Sequence, residues 1–425
     1  MKLLFHGGRI VDPSQGLDRK ADLLVENGTV ARVGKVARNK SWETVDAAGL
    51  VLAPGFVDMH VHLREPGGEA KETIQTGSEA AAAGGFTSIA CMPNTNPVND
   101  SPALTRYILE RARQTNLVNV FPIGAVTRGS QGEELAEIGV MHQAGIVAVS
   151  DDGNPIQNHQ LMRRALEYIK LFDIPLIDHC EDRLLGAGGC MNEGAMSTRL
   201  GLRGASRTAE ELHVARDVML SRVTGGRVHI AHVSARESLD WIRQGKRHGA
   251  AVTCEVTPHH FTLTDRDIGD YDTNFKMSPP LREREDVEAM LQGLVDGTID
   301  CIASDHAPHT SLEKDTTFEE AANGVIGLET SLALALDRLV HTGVISFARL
   351  VELMSCNPSR ILRLDRGTLR EGAVADITVI DLNRETTVDI RGFKSKSRNC
   401  PFHGWKLRGM AVMTVVGGRV VFRAA

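Results

Sequence analysis

Short apolar runs alternate with amphipathic stretches through the middle of the chain, between residues 51 and 309. This alternation is typical of repeated β-α units, in which each buried strand is followed by a helix that covers the sheet. Eight of the apolar runs are predicted to be strands: residues 51–62, 87–93, 119–126, 145–150, 174–180, 227–233, 250–256 and 299–304. Eight units predict an α/β fold, a closed (β/α)8 barrel of the TIM type, while an open doubly wound sheet is the alternative that the pattern leaves open.

Three of the intervening stretches carry the start and stop signals of helices. Residues 73–83 are rich in alanine and end at a glycine pair, residues 101–114 begin with serine and proline, and residues 206–223 begin with a capping serine. These signals predict helices between the strands, as a β-α barrel requires.

The two ends of the chain follow a different pattern. Short β-like pieces separated by Gly, Asn and Pro occur at residues 3–5, 10–11, 22–25 and 29–33, and again at residues 376–381 and 410–422. We therefore expect one small composite β domain from residues 1–53 and 366–425, and a barrel domain from residues 54–365. The polar and basic residues 383–405 are expected to be partly irregular.

Composition narrows the class of protein. A chain of 425 residues is longer than one compact domain. Hydrophobic residues make up 42% of it and aromatic residues only 4%, which indicates a globular protein with an aliphatic core. A formal charge of -6 gives no broad basic surface for a nucleic acid, so a small-molecule substrate is favoured. The seven cysteines form no C-x-x-C pair, which suggests reduced thiols in the cytoplasm. The apolar start is too short for an export signal or a membrane anchor.

Metal-competent side chains follow the ends of the apolar runs. His60 and His62 are two apart in a strand, so both can point to the same face and bind one ion. The same position at the end of other runs is taken by Asp151, Asp152, His179, His232 and Asp305. Because the carboxyl ends of barrel strands meet at one face, these side chains should converge there. The sequence therefore predicts a metal-dependent hydrolase.

Several strings of residues identify a family resemblance. They are residues 60–67 (HVHLREPG), 92–95 (MPNT), 151–153 (DDG), 231–234 (AHVS) and 304–309 (SDHAPH). Together they resemble the dihydroorotases of the bacterial class I type, within the amidohydrolase superfamily. The resemblance covers almost the whole chain, and the two longest strings would rarely occur together by chance.

This resemblance implies a metal centre with one or two zinc ions. Its ligands would be His60, His62, Asp152, His179, His232 and Asp305. Many amidohydrolases bridge two metals with a carboxylated lysine on the fourth strand, but residues 146–150 contain no lysine. The family implies a bridging aspartate instead. Its spacing from His62 and His179 favours Asp152 as the bridge. If Asp152 is the bridge, Asp151 is expected to be a turn residue or to support the ligands.

The resemblance also assigns a substrate site. Its residues would be His62, Arg64, Asn94, Ser278, His309, Asn323 and Gly324. Arg64 can bind a carboxylate through two hydrogen bonds, although it could instead pair with Glu65 or Asp58. Ser278 stands where the family usually has asparagine. Residues 322–324 differ from the usual Pro-Phe-Gly, a change that a backbone contact would survive.

The implied reaction is the reversible hydrolysis of the cyclic amide of (S)-dihydroorotate to N-carbamoyl-L-aspartate, in UMP synthesis. The metal would activate water and polarise the ring carbonyl, while Asp305 would carry the proton to the departing nitrogen. A hydantoinase or allantoinase, a catalytically silent subunit of aspartate carbamoyltransferase and a structural zinc protein are the alternatives. A homodimer and a complex with aspartate carbamoyltransferase also stay open as partnerships.

Overall fold

The computed structural model describes residues 2–424, which form two eight-stranded sheets and one two-stranded ribbon. The strands are β1 (Lys2–Asp12), β2 (Leu17–Glu26), β3 (Thr29–Gly34), β4 (Glu43–Asp46), β5 (Val51–Pro54), β6 (Phe56–Val61), β7 (Phe86–Cys91), β8 (Asn119–Gly124), β9 (Ala148–Ser150), β10 (Leu176–Asp178), β11 (Met191–Asn192), β12 (Gly204–Ala205), β13 (Val228–Ile230), β14 (Val252–Val256), β15 (Cys301–Ile302), β16 (Ile377–Thr387), β17 (Lys406–Val416) and β18 (Arg419–Arg423).

Most helices lie between the strands of one sheet. They are α1 (Ile74–Gly84), α2 (Pro102–Thr115), α3 (Ile138–Ala144), α4 (His159–Ile169), α5 (Ala195–Leu200), α6 (Thr208–Thr224), α7 (Arg236–Arg247), α8 (Arg284–Asp296), α9 (Ser311–Lys314), α10 (Ser331–Ala335), α11 (Phe347–Val351) and α12 (Asn357–Ile361). The π-helical turns Leu336–Val340 and Glu352–Cys356 extend α10 and α11. No helix within residues 2–424 is both long and apolar enough to cross a membrane.

The predicted barrel is confirmed. The sheet runs β6-β7-β8-β9-β10-β13-β14-β15, so the parallel strands follow one another in chain order without the reversal of a doubly wound sheet. The first and last strands meet through side-chain and loop contacts. Asp58 Oδ1 accepts a hydrogen bond from the Ser304 N–H at 3.2 Å, and the His62 N–H donates to the His306 carbonyl at 2.9 Å. These contacts nearly close the barrel.

The three predicted helices are present, and their ends have identifiable causes. The side chain of Thr73 caps α1 by accepting from the Thr76 N–H, and Gly85 ends that helix with a φ of 92°, which glycine adopts without strain. Ser101 precedes α2 as predicted. The predicted cap of α6 was wrong, because the helix begins at Thr208 and its N-terminal boundary residue is Arg207 rather than Ser206.

The first predicted strand, residues 51–62, is divided at Gly55. The part before it, β5, pairs with β1 and β16 in the second sheet, whereas the part after it, β6, opens the barrel. A Cβ atom on Gly55 would lie 2.1 Å from Thr87 Oγ1, so the chain can turn here only without a side chain. One apolar run therefore serves two hydrophobic cores.

The second sheet joins both ends of the chain, which confirms the predicted β-rich unit. Its order is β18-β17-β16-β5-β1-β2-β3, and β4 pairs with β1. Strand β1 is longer than the two predicted pieces because a bulge between Phe5 and Gly8 lets it continue. The segment expected to be irregular begins as strand, since β16 extends to Thr387, and then becomes mostly loop.

Two cores support the barrel. A large cluster packs the outer faces of the strands against the helices. A smaller one takes a residue from most of the barrel strands and fills the interior, with Met59, Ala90, Ile123, Ile177 and Ala231 among its members. The interior is thus solid, and polar side chains can collect only at its ends.

Candidate active site

The structure brings all six sequence-predicted metal ligands together at the carboxyl ends of the barrel strands. His60 lies in β6 and His62 directly after it, and Asp152, His179, His232 and Asp305 follow β9, β10, β13 and β15. All six are buried, with at most 6% of each residue exposed. Two of them, His232 and Asp305, have positive φ angles of 32° and 45°, a backbone conformation that is uncommon outside glycine and that occurs at functional sites.

The first group of ligand atoms comes from the ends of β6 and β15, the first and last strands of the barrel. His62 Nε2 lies 3.2 Å from Asp305 Oδ1, and His60 Nε2 lies 3.5 Å from the same oxygen. His62 keeps Nε2 directed at this group because its Nδ1 pairs with Asn94 Oδ1 at 2.9 Å. This arrangement could hold one cation.

Asp152 joins this group to the other two histidines. Its Oδ1 lies 3.5 Å from His60 Nε2, 3.7 Å from His232 Nε2 and 3.9 Å from His179 Nδ1. Its Oδ2 lies 3.6 Å from His62 Nε2. His179 Nδ1 and His232 Nε2 are themselves 2.9 Å apart. A single carboxylate is therefore positioned between two pairs of imidazoles, as a bridging ligand would be.

Asp151 points away from this cluster. Its Oδ1 accepts hydrogen bonds from the Val126 N–H at 2.8 Å and the Thr127 N–H at 3.2 Å, and its Oδ2 accepts one from the Thr127 hydroxyl. These bonds hold the loop after β8, so Asp151 has a structural environment and Asp152 the ligand environment.

The cluster fits a divalent cation. His60 Nε2 and Asp152 Oδ1 are buried, and neither has a hydrogen-bond partner among residues 2–424. Buried polar atoms without partners are rare, and a cation between them would satisfy both. Imidazole and carboxylate donors without cysteine are typical of catalytic zinc centres rather than structural ones.

Glu255 in β14 orients the first histidine, a role that the sequence analysis missed. Its Oε1 lies 2.6 Å from His60 Nδ1, and its Oε2 lies 3.1 Å from His229 Nε2. Burial alone would raise the pKa of Glu255, but His60 and His229 lower it to about 2. The sequence did contain a signal, because Glu255 is a single glutamate in an apolar run. A buried charge must be paired, so this glutamate indicated a partner in the barrel.

The charges of the cluster stabilise one another. Burial alone would raise the pKa of Asp305, but His60 and His62 hold it well below its ordinary value. Burial opposes the charge of His60, yet Glu255, Asp152 and Asp305 together raise its pKa well above the usual value. The lowered pKa of Asp305 and the raised pKa of His60 therefore have the same cause, which is the close approach of carboxylates and imidazoles in a buried cluster.

A pocket of about 250 Å³ opens beside the cluster, and every predicted substrate-binding residue lines it. These residues are His62, Arg64, Asn94, Ser278, His309, Asn323 and Gly324. The walls also include Glu181, whose Oε2 lies 3.3 Å from His179 Nε2 and which the sequence analysis did not single out. The volume suits a small polar ring compound.

Arg64 is available to an anionic ligand. Its Nε donates to the Pro308 carbonyl at 3.2 Å, and no carboxylate within residues 2–424 forms an ion pair with it. The alternative partners are taken, because Glu65 pairs with Arg111 at 2.7 Å and Asp58 holds the barrel seam. Burial lowers the pKa of Arg64, because desolvation disfavours the charged guanidinium.

His309 and residues 323–324 form the wall next to Arg64, whose Nη2 lies 3.5 Å from His309 Nε2. His309 Nε2 lies 2.8 Å from the Asn323 carbonyl, and burial together with Arg64 lowers the pKa of His309 to about 3. His309 is therefore neutral, and Nε2 carries the hydrogen that it donates to Asn323. Gly324 has a φ of 132°, and a Cβ there would lie 2.6 Å from that of Ala307. Ser278 also lines the pocket and is half-buried.

Other side chains near the cluster that could bind a metal are engaged elsewhere. Asp178 pairs with Arg216 at 3.0 Å, and His306 Nε2 lies 3.3 Å from Glu72 Oε2. Cys180 is buried next to Asp217. These side chains support the fold around the site.

Barrels that gather imidazoles and carboxylates at one face beside a small polar pocket are typical of the metal-binding class of amidohydrolases, and this chain is of that class. A family model described as Dihydro-orotase-like matches residues 49–238. The chain is 56% identical over 424 residues to a protein named dihydroorotase from Geobacter metallireducens, and 57% identical over 424 residues to one from Pelobacter propionicus, with 100% of both chains covered in each comparison. The chain belongs to the dihydroorotase family.

Among solved structures, L-hydantoinase (dihydropyrimidinase) from Arthrobacter aurescens is similar with a TM-score of 0.89 and 28% identity. The match covers 99% of this chain and 96% of that one. The fold is thus shared with enzymes whose names describe other cyclic amides. The family and the class of enzyme predicted from the sequence are confirmed.

Proposed function

We propose that the chain catalyses the reversible hydrolysis of (S)-dihydroorotate to N-carbamoyl-L-aspartate in pyrimidine biosynthesis, with one or two zinc ions at the six-residue cluster. The observation that carries this proposal is an arginine without a carboxylate partner, Arg64, in the wall of a pocket that also contains the metal-competent side chains. Dihydroorotate offers both a ring amide and a carboxylate, which match these two features.

Each group in the pocket has a definite task in this reaction. The zinc ligands would be His60, His62, Asp152, His179, His232 and Asp305. A bound divalent cation lowers the pKa of water and polarises the amide carbonyl. Asp305 takes a proton from the attacking water and delivers it to the ring nitrogen as the C–N bond breaks. The reverse transfer forms the ring from carbamoyl aspartate.

Substrate orientation depends on the remaining walls. Arg64 binds the substrate carboxylate, and the Asn94 amide supplies hydrogen bonds while its oxygen holds His62. The backbone of Asn323 and Gly324 and the imidazole of His309 line the same part of the pocket as Arg64 and contact the substrate there. Ser278 is shorter than the asparagine typical of the family, so we propose that it acts through a water.

A hydantoinase activity is the second candidate, because the Arthrobacter aurescens L-hydantoinase has the same fold. A hydantoin ring does not need a carboxylate partner at the position of Arg64. We therefore place dihydroorotate first, and a panel of cyclic amides separates the two activities.

Further proposals concern the molecule as a whole. We propose that residues 54–365 form the catalytic domain and that residues 1–53 and 366–425 form the composite β domain. The enzyme is proposed to act in the cytoplasm, and a homodimer or a complex with aspartate carbamoyltransferase can be examined by gel filtration of the protein alone and of the mixture.

The decisive experiment measures the zinc content of the purified protein and carbamoyl aspartate formation from dihydroorotate, before and after chelation. Turnover that disappears on chelation and returns with zinc supports the proposal. Bound zinc without turnover on dihydroorotate, but with turnover on a hydantoin, would reject it in favour of the second candidate.

A further inference from the structure

Lys314, the last residue of α9, is a buried lysine that the proposed reaction does not use. It is 6% exposed, and no carboxylate within residues 2–424 forms an ion pair with it. Instead its Nζ donates to three backbone carbonyls, those of Ala322 at 2.8 Å and of Lys276 and Gly324 at 3.2 Å. A buried ammonium is costly unless its donors are satisfied, and these carbonyls use all three.

The three carbonyls belong to two loops that line the substrate pocket. Lys276 lies two residues before Ser278 in the segment between β14 and α8, and residues 322–324 lie in the loop between α9 and α10. The Gly324 N–H also donates to the Lys276 carbonyl at 3.0 Å. The Lys314 ammonium therefore lies at the junction of both loops and ties them to α9.

This junction also determines the position of His309. The Asn323 carbonyl, between two of the anchored residues, accepts a hydrogen bond from His309 Nε2 at 2.8 Å. Asn399 adds a second anchor, because its Nδ2 donates to the Gly324 carbonyl at 3.0 Å and its Oδ1 accepts from the His309 N–H at 3.2 Å. A shift of residues 322–324 would move the imidazole that faces the substrate.

We propose that Lys314 is a positioning residue that fixes the wall formed by Ser278, Asn323 and Gly324 and thereby sets the affinity for the substrate ring. This inference rests on the proposed function, since it assumes that the pocket binds dihydroorotate. None of the three carbonyls belongs to a proposed metal ligand. Loss of the ammonium should therefore weaken substrate binding and leave metal binding intact.

The test replaces the ammonium with an apolar group of similar length, Lys314→Met, in the full-length zinc-loaded chain. Burial and Lys276 lower the pKa of Lys314 to about 7, so the kinetics are compared at about pH 6, where the wild type carries the ammonium. Loss of hydrogen bonds to a charged group predicts a KM raised about tenfold or more, with kcat changed by less than about threefold. Hydrogen exchange of the Gly324 amide should also accelerate.

Lys396→Met is the matched control. Lys396 lines the cavity on the other side of His309, is exposed, and donates to the Glu69 carbonyl rather than to the pocket loops. This variant removes a positive charge near the site but leaves the hydrogen bonds of Lys314 to the two loops in place. Its KM and the hydrogen exchange of its Gly324 amide should therefore stay at wild-type values. An equal rise of KM in both variants would mean that the loss of a positive charge, and not the loss of the loop contacts, explains the change. That result would overturn the proposal.

Lys314→Met with wild-type KM and wild-type exchange at Gly324 would also overturn it. If this variant does not fold, Lys314→Gln takes its place, because the shorter amide cannot reach all three carbonyls, and wild-type KM there has the same meaning. A failure of the proposed function is a different result, namely a zinc-loaded wild type that does not turn over dihydroorotate.

Discussion

Asp305 is proposed to serve both as a metal ligand and in proton transfer. Its Oδ1 lies 3.2 Å from His62 Nε2, and the side chain also borders the substrate pocket. We predict that Asp305→Asn lowers kcat at least about 100-fold, since an amide cannot accept the proton. Zinc should remain bound through the other five ligands. Steady-state kinetics and metal analysis check both parts, and kcat within about tenfold of wild type would remove Asp305 from proton transfer.

The adjacent aspartates offer a matched pair of substitutions. Asp152→Asn should lower zinc content or affinity, because the neutral amide weakens the contact with four imidazoles. Asp151→Asn should leave zinc bound and instead lower the free energy of unfolding by about 1–3 kcal/mol, because one oxygen that accepts backbone N–H groups is replaced or reoriented. Metal analysis and urea unfolding of both variants distinguish these effects, and the opposite result would exchange the two roles.

Individual site residues differed in how far the sequence could reveal them. His60 and His62 were accessible because the two-residue period of a strand directs both to one face. Glu255 was not, because the partner that explains it, His60, is 195 residues away in the chain. Lys314 was hidden for a similar reason, since its acceptors are carbonyls and leave no trace in the side-chain pattern.

At the scale of elements, Gly55 is the point where the chain passes from the second sheet into the barrel. A methyl group on Gly55, between β5 and β6, would lie 2.1 Å from the Oγ1 atom of Thr87 in β7. We predict that Gly55→Ala lowers the free energy of unfolding by about 1–3 kcal/mol, through overpacking. Denaturant unfolding measures this loss. Gly392→Ala is the matched control, because Gly392 is exposed, has no positive φ and has nothing within 4 Å of an added Cβ.

The strands of the barrel were predictable because most are buried on both faces and appear as largely apolar runs. The division of residues 51–62 was not, since both halves are equally apolar and only the tertiary contact at Thr87 separates them. The eighth strand shows the opposite limit. Its ladder is only Cys301–Ile302, because the side-chain carboxylate of Asp58 in β6, rather than a backbone carbonyl of that strand, accepts from the Ser304 N–H.

For the whole molecule, metal binding should be coupled to folding. Four imidazoles and two carboxylates are buried together, and the unfolded chain cannot reproduce their arrangement. A free zinc concentration of about 100 times Kd should stabilise the folded protein by about 2.7 kcal/mol relative to the chelated form. Urea unfolding in zinc buffers tests this, with Asp152→Asn as the variant that should respond less. Equal stability with and without zinc would show that the ion does not bind preferentially to the folded state.

The sheet built from both chain ends also has a consequence for synthesis on the ribosome. Strand β5 gains its second neighbour only when β16 emerges, after the entire barrel has been translated. Until then, an apolar strand edge near the start of the nascent chain is unpaired and open to association with other chains. Ribosomes that stall before residue 377 should therefore release aggregating chains, and protection of this edge by a chaperone would be needed throughout most of translation.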